Sequence, residues 1–433
     1  MRIILCWISA TFQNSQQLKE NIKNRNLSES VVNVDKLLEI DRGHSQLVQE
    51  IEILRAERNR IADKLKEGKK EALIEKGRQV KEMLKTKEAL LVKVKSEYQT
   101  LLDWMPNLTH PQMPVGKDST GNVERKKWGE IPKFNFKHQD HLTLGENLDL
   151  VDIKTSAKVS GSRFYYLKNE AVLLQFAIFN HALKKLVHRG FTPLIPPVLL
   201  KKRALYGTGY FPSEENQIYK LEAGEKIEDQ NELYLSGTSE QAIVSYHADS
   251  IFKKGELPKK YVGYSTCFRS EVGSWGKDVR GIKRVHQFDK IEMICFTTPQ
   301  TSQKYMQEAL EIEEELLQDL GLPYRVIEMC TGDVGLATYR KFDVEVFMPS
   351  ENSYVEVMSN SDLAAFHARR LNIRYEKNGE KDYVHTISAT GITNTRPLMA
   401  ILENYQQEDG SVKIPPLLQD YLEMDLIRPK SQR

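Results

Sequence analysis

The chain has 433 residues, enough for two or three domains, and its 40% hydrophobic and 28% charged content suits a packed globular protein and excludes a disordered one. Its formal net charge of +2 leaves room for a nucleic-acid surface only as a local patch. No apolar run approaches the roughly 20 residues that a bilayer span needs.

The first residues, MRIILCWIS, are followed closely by polar QNSQQ without a small-residue cleavage site, so they read as a packed segment rather than a secretion signal. The four cysteines, Cys6, Cys267, Cys295 and Cys330, include no CxxC-type pair. That pattern points away from zinc and further from a disulfide framework, so a cytoplasmic protein without zinc is expected.

Residues 44 to 104 contain no proline. Leu47, Ile51, Leu54, Arg58, Ile61 and Leu65 alternate spacings of four and three, and after Glu67-Gly68-Lys69-Lys70 the series Leu73, Gly77, Val80, Leu84, Lys87, Leu91, Val94, Tyr98 and Leu101 continues it. A 3.5-residue period gives a continuous seam, so two helices around a short turn are expected to form an antiparallel coiled-coil hairpin. At about 1.5 Å per residue, roughly 30 residues make an arm on the order of 45 Å long. Arg58 and Lys87 interrupt the seam and either weaken it or snorkel outward. Off the seam lie many cations, among them Arg55, Arg60, Lys76, Lys81, Lys85 and Lys93. They make either a solvated helical face or an electrostatic track for a phosphate backbone.

PNLTHPQMPVGKDSTGN, from Pro106, is rich in turn-forming residues and reads as a linker over 106–130. Beyond it, strand-like runs (Tyr165 to Leu167, Glu232 to Leu235, Lys260 to Phe268, Lys290 to Phe296, Tyr354 to Met358) alternate with amphipathic helices over about 169–188 and 300–320. Many strands with few βαβ units predict an antiparallel sheet flanked by helices, so the whole chain is read as α+β. The absence of GxGxxG and GxxxxGK[ST] excludes a dinucleotide fold and a P-loop.

Four stretches carry chemistry. In CFRSEVGSWGKDVRGIKRVHQFDKIE, Arg269 and Glu271 are two apart, and Arg284, Phe288 and Glu292 are four apart. Both spacings keep side chains on one face of a strand, so all five are expected to line one two-stranded ladder. An ordinary hairpin with cross-strand ion pairs is the simpler reading of any one pair. The full set supplies cations for a polyphosphate, a ring for a purine and carboxylates for an amine, the chemistry of ATP-dependent carboxylate activation. Thr238-Ser239-Glu240 reads as a helix N-cap with an acidic first turn, or as part of a site. Glu356 and Ser359 offer oxygens to a hard cation such as Mg²⁺. Arg396 opens a helix expected over Leu398 to Tyr405, at the end where the helix dipole prefers anions; it is either paired to a buried carboxylate or placed to bind an anion.

Together, PNLTHPQMPVGKD, WGE, SGSRFYYLK, LYGTG, GTSE, CFRSEVGSWGKDVRGIKRVHQFDKIEM and AILENYQQEDGSVKIP resemble, in order, the seryl-tRNA synthetase family of class II aminoacyl-tRNA synthetases. The resemblance implies a tRNA-binding domain over 1–105, with the arm at about 44–104, and a class II catalytic domain over 131–433. It implies activation of L-serine with ATP to seryl-adenylate, then transfer to the 3′ end of tRNA(Ser) and of tRNA(Sec), by a homodimer that needs Mg²⁺ and no membrane. Phe268-Arg269-Ser270-Glu271 matches motif 2, which implies Arg269 on the α-phosphate and the serine carboxylate, with Ser270 beside it and Glu271 near adenine. Arg284 is implied at the γ-phosphate, and Phe288 stacked on adenine opposite Arg396. Thr238, Ser239, Glu240 and Glu292 are implied around the serine amine, Thr390 at its hydroxyl, and Glu356 with Ser359 at Mg²⁺. GFTPLIPP (190–197) is similar to motif 1, at the dimer interface.

Three places depart from the family pattern. Met358 stands where a small residue is usual. Asn360-Ser361-Asp362-Leu363 replaces a run like Cys-Ser-Asn-Cys, and Ser388-Ala389-Thr390 one like Asn-Gly-Ser. All are expected to flank the amino-acid pocket. Two other readings stand beside the enzyme: a non-catalytic or altered-specificity RNA-binding paralogue, and an enzyme that loads a carrier protein, which the long arm disfavours.

Overall fold

The structure is a computed structural model that describes residues 15–68, 70–222, 232–272 and 280–429. The opening MRIILCWIS with Cys6, Lys69, and the GSWGKDV portion of the glycine-rich motif lie outside the described residues. The chain divides into two compact units, one up to Pro106 and one from Asn107.

In the first unit, helix α1 (Ser15–Asn24) precedes two antiparallel helices of 33 residues each, α2 (Val34–Lys66) and α3 (Glu71–Asp103). The arm therefore begins about ten residues earlier than its apolar period suggests. Asn33 caps α2, its Oδ1 accepting from the Lys36 amide at 2.8 Å, which starts the helix before the seam does. Leu47, Ile51, Ile61, Val80 and Leu84 are buried in the seam, with Leu54, Leu65, Leu91 and Val94 packed against them. Lys87 Nζ reaches Glu50 across the hairpin at 2.6 Å, while Arg58 is exposed, so both cations leave the seam. Near the arm's base, Tyr98 stacks on His44 and donates its hydroxyl to Asp41 at 2.8 Å.

The second unit is built on an eight-stranded sheet. Its strands are β1 (Val123–Trp128), β2 (Thr192–Leu194), β3 (Lys259–Phe268), β4 (Gln287–Thr297), β5 (Tyr324–Glu328), β6 (Arg340–Met348), β7 (Ser353–Asp362) and β8 (His385–Thr393). They lie in the order β1-β5-β6-β7-β8-β4-β3-β2, antiparallel throughout except that β2 runs parallel to β3. The helices α4 (Glu170–His188), α6 (Ser302–Asp319) and α8 (Thr395–Asn404) pack with one face into the main apolar core. The segment read as a linker belongs to this unit. Asn107 is buried, its side-chain amide donating to Ala337 O and Leu363 O at 2.9 Å, and β1 is an edge strand on β5. Proline, glycine and asparagine mark irregular backbone, which here is packed backbone.

Strand β4 shows how one sequence serves three environments. Ile291, Met293 and Cys295 point into the helical core. The alternate residues Phe288, Lys290 and Glu292 line a cavity, and further along Ile294 and Phe296 enter a smaller core. That second core includes Ile243 and Val244 of α5 (Ser239–Ser245) and Ala368 and Leu371 of α7 (Phe366–Leu371). Helix α5 approaches β3 closely because Gly263 stands opposite: a Cβ there would lie 2.2 Å from Ile243 Cδ1 and 3.0 Å from Ser239 Oγ. No described helix is long and apolar enough to cross a membrane. The described cysteines, Cys267, Cys295 and Cys330, are free and buried.

Candidate active site

A cavity of about 600 Å³ opens on the sheet face opposite the helical core. Arg269, Glu271, Arg284, Phe288, Glu292 and Arg396 all line it, as do Glu240, Glu356, Ser359 and Thr390. Three expected site residues do not. Thr238 and Ser239 are buried beneath it as cap and first residue of α5, and Ser270 turns its hydroxyl to Asn216 O at 2.5 Å.

The expectation that five motif residues share one strand ladder is corrected. Strand β3 ends at Phe268 and β4 starts at Gln287, with the Arg269 amide donating to His286 O at 2.9 Å as the last rung. Glu271 takes a left-handed backbone (φ 49°), and Arg284 precedes β4. The chain is drawn off the ladder by hydrogen bonds elsewhere: the Ser270 amide donates to Gln217 O at 3.0 Å, and Arg163 Nη1 to Glu271 O at 2.8 Å. The two loop side chains still meet, with Arg284 Nε 3.4 Å from Glu271 Oε2. Arg269 donates from Nε to Gly237 O at 3.2 Å, and its guanidinium lies 5.3 Å from the centre of the Phe288 ring.

Arg396 lies in the first turn of α8, which begins at Thr395 rather than Leu398. Its Nη1 donates to Glu356 O at 2.6 Å and lies 3.3 Å from Glu356 Oε2. Burial pushes the Glu356 carboxyl up, but Arg396 and then Lys341 outweigh it and hold the group below its usual range.

Glu356 and Ser359 are three residues apart, a spacing that puts side chains on opposite faces of a regular strand. A bulge between them restores a common face: Glu345 pairs with Glu356 and Val344 with Met358, leaving Val357 extra. A second bulge does the same on β8. Thr390 pairs with Glu292 and Ile392 with Ile291, so Gly391 is extra and Ser388, Thr390 and Thr393 all line the cavity. Glycine is required at that bulge, since a Cβ would meet Ile291 Cγ2 at 2.8 Å and Leu186 Cδ1 at 3.2 Å.

The acidic part of the cavity is a buried network. Thr238 donates its hydroxyl to Glu292 Oε2, and Lys290 pairs with the same oxygen. The Ser388 hydroxyl lies 2.7 Å from Glu240 Oε2 and 3.3 Å from Glu292 Oε1. Burial, then the charge of Glu292, pushes the Glu240 carboxyl up to about 7. Ser388, expected only to flank the pocket, lines it, and Lys290 is a site residue that the motifs do not name. The period-two pattern through Phe288 and Glu292 signals Lys290. Tyr210, Glu214 and Lys341 also line the cavity, the first two from an irregular loop that has no period to read.

The departures from the family pattern split. Ser388, Ser361 and Leu363 reach the cavity. Met358 and Ala389 point into the helical core, and Asn360 donates to Met306 O at 2.8 Å. Asp362 is buried, accepting from the Ser302 hydroxyl at 2.5 Å and the Ala364 amide at 2.7 Å. Those four are packing residues, because the pleat turns them away from the cavity.

Residues 8–109 match the family described as seryl-tRNA synthetase N-terminal domain, and residues 219–405 that described as tRNA synthetase class II core domain (G, H, P, S and T). The serine–tRNA ligase of Dictyoglomus thermophilum is 42% identical over 423 residues, covering 96% of this chain and 98% of its own. The crystal structure of seryl-tRNA synthetase from Pyrococcus horikoshii complexed with ATP matches with a TM-score of 0.90 at 37% identity, over 98% of this chain and 99% of that one. The cytoplasmic serine–tRNA ligase of Naegleria fowleri in complex with AMP matches with a TM-score of 0.84 at 28% identity, over 96% of both chains.

Proposed function

The chain belongs to the seryl-tRNA synthetase family as an ATP-dependent, AMP-forming serine–tRNA ligase, and on that premise we propose how its cavity works and which partners it serves. The observation that carries the reading is convergence: Arg269, Glu292, Glu240, Glu356 and Arg396 come from five separate segments and line one cavity.

Serine's carboxylate is ionised at neutral pH, so the first step needs no general base. One carboxylate oxygen attacks the α-phosphorus, the bond to the β-phosphate oxygen breaks, and pyrophosphate leaves. Positioning and charge neutralisation carry such a step. The planar fork of Arg269 bridges the α-phosphate and the serine carboxylate, a geometry lysine lacks. Phe288 takes the adenine face opposite Arg396, Glu271 the adenine edge and Arg284 the γ-phosphate. Glu356 and Ser359, brought to one face by the bulge, would hold Mg²⁺. Among the described residues no cluster of three or more His, Cys, Asp or Glu side chains is placed to hold a metal. Mg²⁺ held by Glu356 and Ser359 would supply Lewis-acid neutralisation of phosphate charge. Glu240 and Glu292 take the substrate's ammonium group, and Thr390 its hydroxyl. In the second step the 3′-hydroxyl of the terminal tRNA adenosine attacks the acyl carbon, the acyl–phosphate bond breaks and AMP leaves.

The arm serves as the handle for tRNA(Ser) and tRNA(Sec). Lys81, Lys85, Lys93 and Lys95 of α3 support this: they are exposed, and none has an ion pair among the described residues. A homodimer fits the apolar side chains exposed in and just after residues 190–197, Ile195 at 83% and Leu199 beside it in sequence. An amino-acid-dependent ATP–pyrophosphate exchange panel tests the assignment. Serine is expected to support exchange, with alanine, glycine and threonine lower by about two orders of magnitude or more. Exchange with none of them leaves the non-catalytic RNA-binding paralogue; exchange led by another amino acid leaves altered specificity.

A further inference from the structure

A hydroxyl carries one proton and donates to one acceptor at a time. Ser388 Oγ nevertheless sits between two carboxylates, 2.7 Å from Glu240 Oε2 and 3.3 Å from Glu292 Oε1. With both acids ionised, one of these contacts sets oxygen lone pairs against each other in a buried pocket, which is costly. One added proton removes the conflict: a carboxyl O–H donates to Ser388 Oγ, and the Ser388 O–H donates to the other carboxylate. Glu292 is the better-supplied acceptor, since its Oε2 meets both the Thr238 hydroxyl and Lys290 Nζ, which leaves the added proton to Glu240.

Among the described residues no lysine or arginine pairs with Glu240. From α7, His367 Nε2 faces its Oε1 at 3.4 Å, but burial and then Arg370 hold that imidazole down to about 3, so it is neutral. Tyr210 and Glu214 face the same region, and burial pushes both groups up, away from their charged forms. Lys290 pairs directly with Glu292, and its charge acts on Glu240 more weakly than burial and the charge of Glu292 do, so the Glu240 carboxyl is still pushed up. We propose that Ser388 joins Glu240 and Glu292 into a proton-sharing pair with the proton on Glu240, and that the substrate's ammonium group expels this proton on binding. The step balances simply: the Glu240 O–H bond breaks, the proton passes to solvent, and an ammonium N–H takes its place at the carboxylate. The proposal rests on the reading of Glu240 as a partner of the serine amine. The upward displacement of Glu240 by burial and by Glu292 agrees with it.

Calorimetry of L-serine binding to the full chain, in buffers of different ionisation enthalpy, measures the proton directly. Release of more than about half a proton per serine is expected near pH 6, falling toward zero near pH 8.5. The apparent KM for serine is correspondingly expected to rise as pH falls below about 7, because Glu240 must then be deprotonated to bind the ammonium. Ser388→Ala removes the hydroxyl that accepts the shared proton, and with it the conflict that the proton relieves. It is expected to move the pH midpoint of the serine KM downward and to reduce the proton release near pH 6, with little change in kcat, and Ser388→Thr to restore the midpoint. Buffer-independent heats across this range, or an unmoved midpoint in Ser388→Ala, would overturn the proposal while leaving the serine site intact. No serine binding at all would overturn the reading of Glu240 on which it rests.

Discussion

The arm and the cavity hold their charges in opposite ways. On the arm, pairs such as Arg55–Glu88 at 2.7 Å and Lys76–Glu57 at 2.6 Å sit at the surface, with the cations more than half exposed. Water and salt weaken such pairs, and either member can be lost at little cost. In the cavity, the carboxylates of Glu240 and Glu292 and the lysine beside them are almost wholly withdrawn from solvent. Removing one partner there strands the other in a low-dielectric site. The arm's charges therefore act as a sum, and the cavity's as individuals.

The sharpest way to break that contrast is Arg269→Ala. Serine-dependent pyrophosphate exchange is expected to fall about 10³-fold or more, with circular dichroism and thermal unfolding close to the parent. Exchange near the parent level would remove Arg269 from the reaction. Next in size, replacing residues 34–103 with a short linker is expected to leave exchange within about twofold while tRNA charging falls on the order of 10²-fold or more, if the arm holds the tRNA. Charging that survives the excision would make the arm a structural appendage. The smallest effect belongs to a pair of arm cations. Lys81→Ala with Lys85→Ala is expected to raise the KM for tRNA about two- to fivefold and to flatten its dependence on salt, with exchange unchanged. A loss as large as that of Arg269 would show that these lysines act individually after all.

Several elements were legible before any coordinates. The arm's seam shows in the sequence because its contacts recur every three or four residues, and α4 and α6 are visible for the same reason. Strands β3, β4 and β7 announce themselves through apolar and β-branched runs, whereas β1 is hidden in a polar, lysine-rich segment behind a proline-rich stretch. Most residues of the family motifs line one cavity, but the placement of Glu271 and Arg284 on strands failed. The Glu271 carbonyl accepts from Arg163, 108 residues away, and the His286 amide donates to Arg163 O, contacts that strand periodicity does not record. The pocket role expected of Met358 and Ala389 failed because the pleat sends both into the core.

By itself, then, the sequence determined the helical hairpin, the α+β character of the larger unit and the residue types available for the chemistry, all of which follow from local period and composition. Only the tertiary structure decided which oxygens share a face. The bulges at Val357 and Gly391 shift the pleat by one residue, and the close approach at Gly263 brings Thr238 and Glu240 to Glu292. Each depends on pairing with a distant strand or helix, and spacing along one chain carries no record of where a partner will force the pleat out of step.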